Sequence, residues 1–162
     1  MPSTYTPIAT TSISSPTASV TFSSISATYT DLILITKVLR STSSIMIVRF
    51  NGDSGTNYSE LRLEANGTAA ASGTNINVGY GVIDFCNNNT TANAVVTHFQ
   101  NYSSTTTNKA FLSRSNQGDV VTYIYAGLWR SNSAINSIVV SHFNSHNFTA
   151  GSILTLYGIK AA

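Results

Sequence analysis

Three histidines, one cysteine, six acidic and eight basic side chains supply nearly all the reactive chemistry this 162-residue sequence has. His142 and His146 lie four residues apart. That spacing puts two imidazoles on one face only in a helix. Here it spans a strand end and an Asn/Ser loop with no third His or Cys nearby, so zinc is not expected. The stretch Asn51 to Ser59 places Asp53 and Asn57 among Gly52 and Gly55, like a calcium loop. Position twelve from Asn51 is Arg62, however, and Glu60 and Glu64 fall off the spacing, so the bidentate carboxylate is missing. No Gly-X-Ser-X-Gly elbow occurs. Gly52-Asp53-Ser54 lacks the Lys and Thr of a phosphate loop. Asp31, Asp53, Glu60, Glu64, Asp84 and Asp119 could pair for glycoside chemistry, but no spacing singles out two of them. Cys86 has no basic neighbour and reads as an inert buried thiol. His98 follows Val96 on a strand face and reads as a satisfied core or interface histidine. No catalytic set, metal or cofactor is expected, and the chain does not read as an enzyme.

Asn51, Gly52, Asp53 and Gly55 are better explained as a structural turn. Glycine takes positive φ cheaply, and Asn and Asp tolerate it while bonding their own backbone. Around this turn the composition is apolar but nearly uncharged: 42% hydrophobic and only 9% charged, with a net charge of +2. The length suits one domain with a sizeable core. The eight cations are scattered, so no nucleic-acid footprint forms. A single cysteine excludes an intrachain disulfide. Met1-Pro2-Ser3-Thr4-Tyr5 does not read as a signal peptide, and no apolar run is long enough for a membrane helix.

Period-two alternation carries the chain. Residues 1–16, with three prolines, are expected as an extended arm anchored by Tyr5, Ile8 and Ile13; residues 17–162 form the domain. Strands are expected over 18–22, 29–40 and 45–50, the last two as a hairpin. Residues 58–65 should form a half-exposed strand, with Leu61 and Leu63 inward and Glu60, Arg62 and Glu64 in water. A loop over 66–74 precedes a weaker strand over 76–85, interrupted by Gly79 and Gly81, which signal a bulge or a close backbone approach. Further strands follow over 94–102, 110–113, 119–129, 134–143 and 153–159, with polar loops over 87–93 and 143–150. Eight to nine strands at this spacing predict an all-β, antiparallel two-sheet sandwich, jelly-roll-like. Several strands are apolar on both faces, and a sandwich needs only one such face. The surplus row Tyr123, Tyr125 and Trp129 is covered either by loops of the same chain or, as preferred here, by a homo-oligomer interface.

The segments Phe50 to Ser59, Gly127-Leu128-Trp129-Arg130-Ser131 and Leu156 to Ala161, with Ala18 to Ile25 and Tyr29-Thr30-Asp31-Leu32, resemble a group of small tailed-bacteriophage virion proteins. The likeness runs through nearly the whole chain in order, on turns and strand ends. It implies β-sandwich trimers without enzyme activity, and supplies no catalytic residues. Such proteins serve as capsid decoration (cement) proteins or as tail-fibre modules. No coiled-coil or repeat shaft is present, which favours decoration. The expected setting is the outer capsid surface of a virion. The expected partners are further copies of the chain and the major capsid protein, with neither nucleic acid nor membrane. The alternative is a tail module that binds host surface glycan through exposed aromatics and loops 66–74, 87–93 and 143–150.

Overall fold

Alternation at period two, with Gly, Asn and Ser between runs, folds the described residues into strands, with no α-helix among them. The computed structural model describes residues 4–40, 42–86, 92–117 and 120–160. Parts of the expected arm, of the 41–44 link and of the 87–93 loop, and Asp119 and Ala161, lie outside them. Twelve strands result: β1 (Tyr5–Ser12), β2 (Ser19–Phe22), β3 (Asp31–Val38), β4 (Ser44–Phe50), β5 (Tyr58–Ala65), β6 (Ala70–Val78), β7 (Gly81–Cys86), β8 (Asn93–Phe99), β9 (Lys109–Asn116), β10 (Thr122–Trp129), β11 (Ile138–His142) and β12 (Ile153–Ile159). Among the described residues one 3-10 turn is present, at Phe143–Ser145. Every ladder is antiparallel. The larger sheet runs β1-β12-β3-β8-β9-β10-β5-β6 and the smaller β2-β11-β4-β7.

This is the expected all-β antiparallel sandwich, with the chain passing repeatedly from sheet to sheet in a jelly-roll-like manner. Its connections differ from the expectation in four places. β3 and β4 are not a hairpin: β3 pairs with β12 and β8, while β4 pairs with β11 and β7 in the other sheet. The short link between them crosses a sandwich edge, because both strands are apolar enough to enter the core from opposite sheets. The expected loop over 66–74 is a turn followed by β6, which pairs with β5 from Ala70 on. The expected strand over 76–85 is two, broken where Gly79 meets Ser54 and assigned to different sheets. Residues 5–12 are extended, but they form an edge strand on β12 of their own chain.

Between the sheets lies one large apolar cluster. Leu32, Leu34, Met46, Val48, Phe50, Phe99, Phe111, Trp129, Ile138 and Leu156 all belong to it. Phe50 is its aromatic centre, 5.4 Å from the Trp129 ring, 5.5 Å from Phe99 and 6.0 Å from Phe111. Such edge-on and tilted contacts add to burial. Gly127 exists for Phe111: a Cβ there would come within 1.9 Å of the Phe111 ring. Tyr123 and Tyr125 form a second cluster with Ile47, Val82 and Val121.

Candidate functional site

The turn after β4 is a hub that binds three parts of the chain. Asn51 and Gly52 take φ of 54° and 73°, the left-handed region that Asn and Gly tolerate. Asn51 Oδ1 accepts from the backbone N–H of Asn136 (2.9 Å) and Ser137 (3.1 Å), and its Nδ2 donates to Ala134 O (2.8 Å). Asp53 Oδ1 accepts from Gly55 N (2.8 Å). Its Oδ2 accepts from Asn57 Nδ2 (2.9 Å) and from the indole Nε1 of Trp129 (2.7 Å). Burial pushes the Asp53 carboxyl up, but the bonds from Trp129, Asn57 and Gly55 outweigh it and hold the group below its ordinary range. The Tyr58 hydroxyl donates to Asp53 O (3.2 Å) and accepts from Phe50 N (2.9 Å), and burial pushes its phenol up to about 12. Arg130 closes the far side on Thr56 O (2.9 Å), Ser59 Oγ (3.0 Å) and Asn77 Oδ1 (2.8 Å). Every polar atom of Asp53 is thus engaged by the fold. Gly55, expected to share the positive φ, does not need it; a Cβ there would come within 3.1 Å of Asn57 Nδ2 and Asp53 Oδ1.

Two further groups of charges lie inside. Arg40 pairs with Asp84, both almost fully buried, and Arg40 Nη1 donates to Ser44 O (3.2 Å). His142 joins this end of the sandwich with its ring 4.4 Å from Phe148. Its polar contact is a weak one to the backbone of Ile45, which opposes the effect of burial. Burial, then the Arg40 guanidinium, pushes its imidazole down to about 3, so it stays neutral. His146 is near enough to lower it a little further, and no group of three or more His, Cys, Asp or Glu able to hold a metal occurs among the described residues. Glu60, 4% exposed, lines a cleft of about 230 Å³ with Arg62, Asn75, Phe85 and Tyr125. Burial raises its pKa against the bonds it accepts from Asn75 Nδ2 (2.7 Å) and Val82 N (2.8 Å). Both its oxygens are therefore occupied, and Glu64 further along the strand is held by Arg62 (3.2 Å). The cleft is smaller than most ligand pockets.

The residues expected at an interface go elsewhere. Tyr123, Tyr125 and Trp129 are each 2% exposed and face inward, because their rings fill the gap between the sheets. Of the three expected anchors of the arm, Ile13 is in the core, Ile8 packs against it, and Tyr5 is strongly exposed, beside Tyr157 at 6.4 Å. His98 sits on the outer face and bonds Asp31 (3.0 Å). β5 is reversed with respect to expectation. Glu60, Arg62 and Glu64 face the space between the sheets, while Leu61 and Leu63 point outward, 63% and 58% exposed. Ile35, Ile76, Leu112, Ile124 and Ile153 are exposed with them, at 40% or more. All lie on the outer face of the larger sheet. The doubly apolar strands carry the sequence signal for that face, but the row Tyr123, Tyr125 and Trp129 is the inner one.

Compared with protein-family models and with curated proteins, the chain gives no match. No helix among the described residues is long and apolar enough to cross a membrane.

Proposed function

We propose that this protein is a virion structural protein without enzymatic activity, binding the outside of a tailed-phage capsid as an oligomeric decoration (cement) protein. The observation that carries this reading is the broad outer face of the larger sheet, which exposes leucines and isoleucines where a solitary sandwich would place polar side chains. Such a face suits contact with protein. Three inner carboxylates, by contrast, are taken up by the fold itself: Asp53 by the turn, Asp84 by Arg40, Glu60 by Asn75 and Val82. The choice of particle rests on the resemblance carried by the Phe50–Ser59 turn, the Gly127–Ser131 corner and the Leu156–Ala161 end.

The mechanism is mass action. A ligand that binds only the expanded shell stabilises it, and several weak contacts in one oligomer add avidity. With so few charges, attachment is apolar and hydrogen-bonded and resists salt. Binding host glycan through aromatic stacking has less support: among the described residues only Tyr5, 51% exposed, is a strongly exposed aromatic ring. Co-sedimentation of the purified protein with shells that lack it tests the proposal. Saturable binding that survives high salt is expected; no binding to any shell state counts against it.

A further inference from the structure

We infer that the outer face of the larger sheet is the surface through which copies of this chain pack against one another. The inference rests on the reading of the protein as an assembly component and names what covers that face.

The ladder registers place the exposed side chains in rows across the strands. Leu61 stands opposite Ala126, which stands opposite Leu112. In the next row Leu63 faces Ile124, then come Arg114, Val96 and Ile35. In the first row large aliphatic groups alternate with alanine, in the second they stand in neighbouring pairs (Leu63 with Ile124, Val96 with Ile35), and small hydroxyl residues flank both, Ser72 opposite Leu63 and Thr74 opposite Leu61. That relief of knobs and hollows is one that a second identical face can fill. Charges on the face are few: Lys37, Arg114 and Asp31, with Asp31 already bonded to His98. Arginine is the cation most compatible with a buried contact.

β5 gives the sharpest argument. A strand that turns two leucines to solvent and a glutamate, an arginine and a second glutamate toward the interior inverts the pattern a solitary sandwich selects. The inversion makes sense only if the outer side is itself covered. The area agrees. Seven strand spacings of about 4.8 Å and about seven residues at 3.3 Å give roughly 780 Å², close to the ~800 Å² per partner of a standard stable interface.

The occupant follows from permanence and chemistry. The face is apolar from the moment the chain folds, so its partner must be present wherever the chain is and in equal number, a condition the chain itself meets. A glycan platform would need several exposed aromatic rings, and this face carries only Tyr157, half-buried, and Tyr5 at its β1 edge. An anionic membrane would need a basic cluster, and the face has two separate cations. A flat sheet face is instead suited to packing on another sheet about 10 Å away.

The test uses the full chain. Its mass in solution is measured by light scattering after gel filtration over a roughly 100-fold range of concentration. The same is done for Leu61→Glu/Leu63→Glu and for Thr21→Glu on the outer side of β2. Thermal unfolding verifies that each is folded, and Leu61→Ser/Leu63→Ser replaces the glutamate pair should that fail to fold. Wild type and Thr21→Glu are expected at a multiple of the single-chain mass, and the double variant as single chains, its association weakened roughly 100-fold or more. A monomeric wild type, or a double variant of unchanged mass, overturns the inference. Incubation with undecorated shells separates the two claims. An oligomer that ignores shells sinks the virion reading alone. A monomer that binds them sinks the copy-to-copy contact alone.

Discussion

Replacing Asp53 with Ala isolates what holds the turn after β4. The substitution removes a carboxylate that accepts from Trp129 Nε1 at 2.7 Å, Gly55 N at 2.8 Å and Asn57 Nδ2 at 2.9 Å. Trp129 is only 2% exposed, so its indole N–H loses its acceptor in a place water barely reaches. That costs about 1–3 kcal/mol. The bonds to Gly55 and Asn57 lie at the surface and add about 1 kcal/mol together. The sum is about 2–4 kcal/mol, or a fall in Tm of roughly 6–12 °C for a domain of this size. Thermal unfolding at pH 7 and fixed protein concentration measures it. Asp53→Asn keeps one acceptor oxygen and should lose about half as much, while Trp129→Phe should be strongly non-additive with Asp53→Ala. The pH dependence has a fixed sign. The folded carboxyl titrates below its unfolded value of 3.8, so its contribution is full above that value and is lost as pH falls through the folded pKa. The gap between wild type and Asp53→Ala should therefore narrow below about pH 4. A fall in Tm under about 2 °C for Asp53→Ala would refute the claim that this carboxylate secures the turn.

His142 makes the opposite end of the sandwich sensitive to acid. Its folded imidazole titrates near 3, against 6.5 when unfolded, so the neutral form stabilises fully above 6.5 and the contribution is lost as pH falls toward 3. By about pH 4.5 this removes on the order of 2–3 kcal/mol, and urea unfolding of His142→Leu should show a flatter pH profile over that window. Deleting residues 2–15 strips β12 of one of its two ladder partners and takes Ile13 from the core, so the truncated chain should lose soluble, cooperatively melting protein. A truncation that melts like the full chain would show β1 to be dispensable. Ile13→Ala alone should cost about 2–4 kcal/mol by the same melting assay.

The sequence made the sandwich and the turn legible because both are written locally. Val20 and Phe22 alternate with polar residues, and Asn51-Gly52-Asp53 can do little but turn. What period two does not state is which face is inside. β5 has a clean alternation, yet its leucines are outward, and only the partner of Glu60, the Val82 N–H of another strand, explains how the polar side is accommodated. β9 repeats the lesson: Lys109, Phe111, Ser113 and Ser115 point inward, and Ala110, Leu112, Arg114 and Asn116 outward. Its polar interior made the strand read as a short one. β1 was hidden because Thr and Ser give no apolar stripe, and its position depends on β12, almost 150 residues later. In β10 both faces are apolar. The rings of Tyr123, Tyr125 and Trp129 went inside because they fill the gap between the sheets, leaving Ile124 outside. Long-range pairing between Arg40 and Asp84 leaves no local trace at all.

The most direct test of the proposed function is electron microscopy of purified particles of a phage that encodes this chain, with its density located by fitting the sandwich. The account predicts oligomeric density on the outer capsid surface, with the outer face of the larger sheet buried between copies. Density at the tail tip or along a fibre would contradict it, as would absence of the chain from the particle.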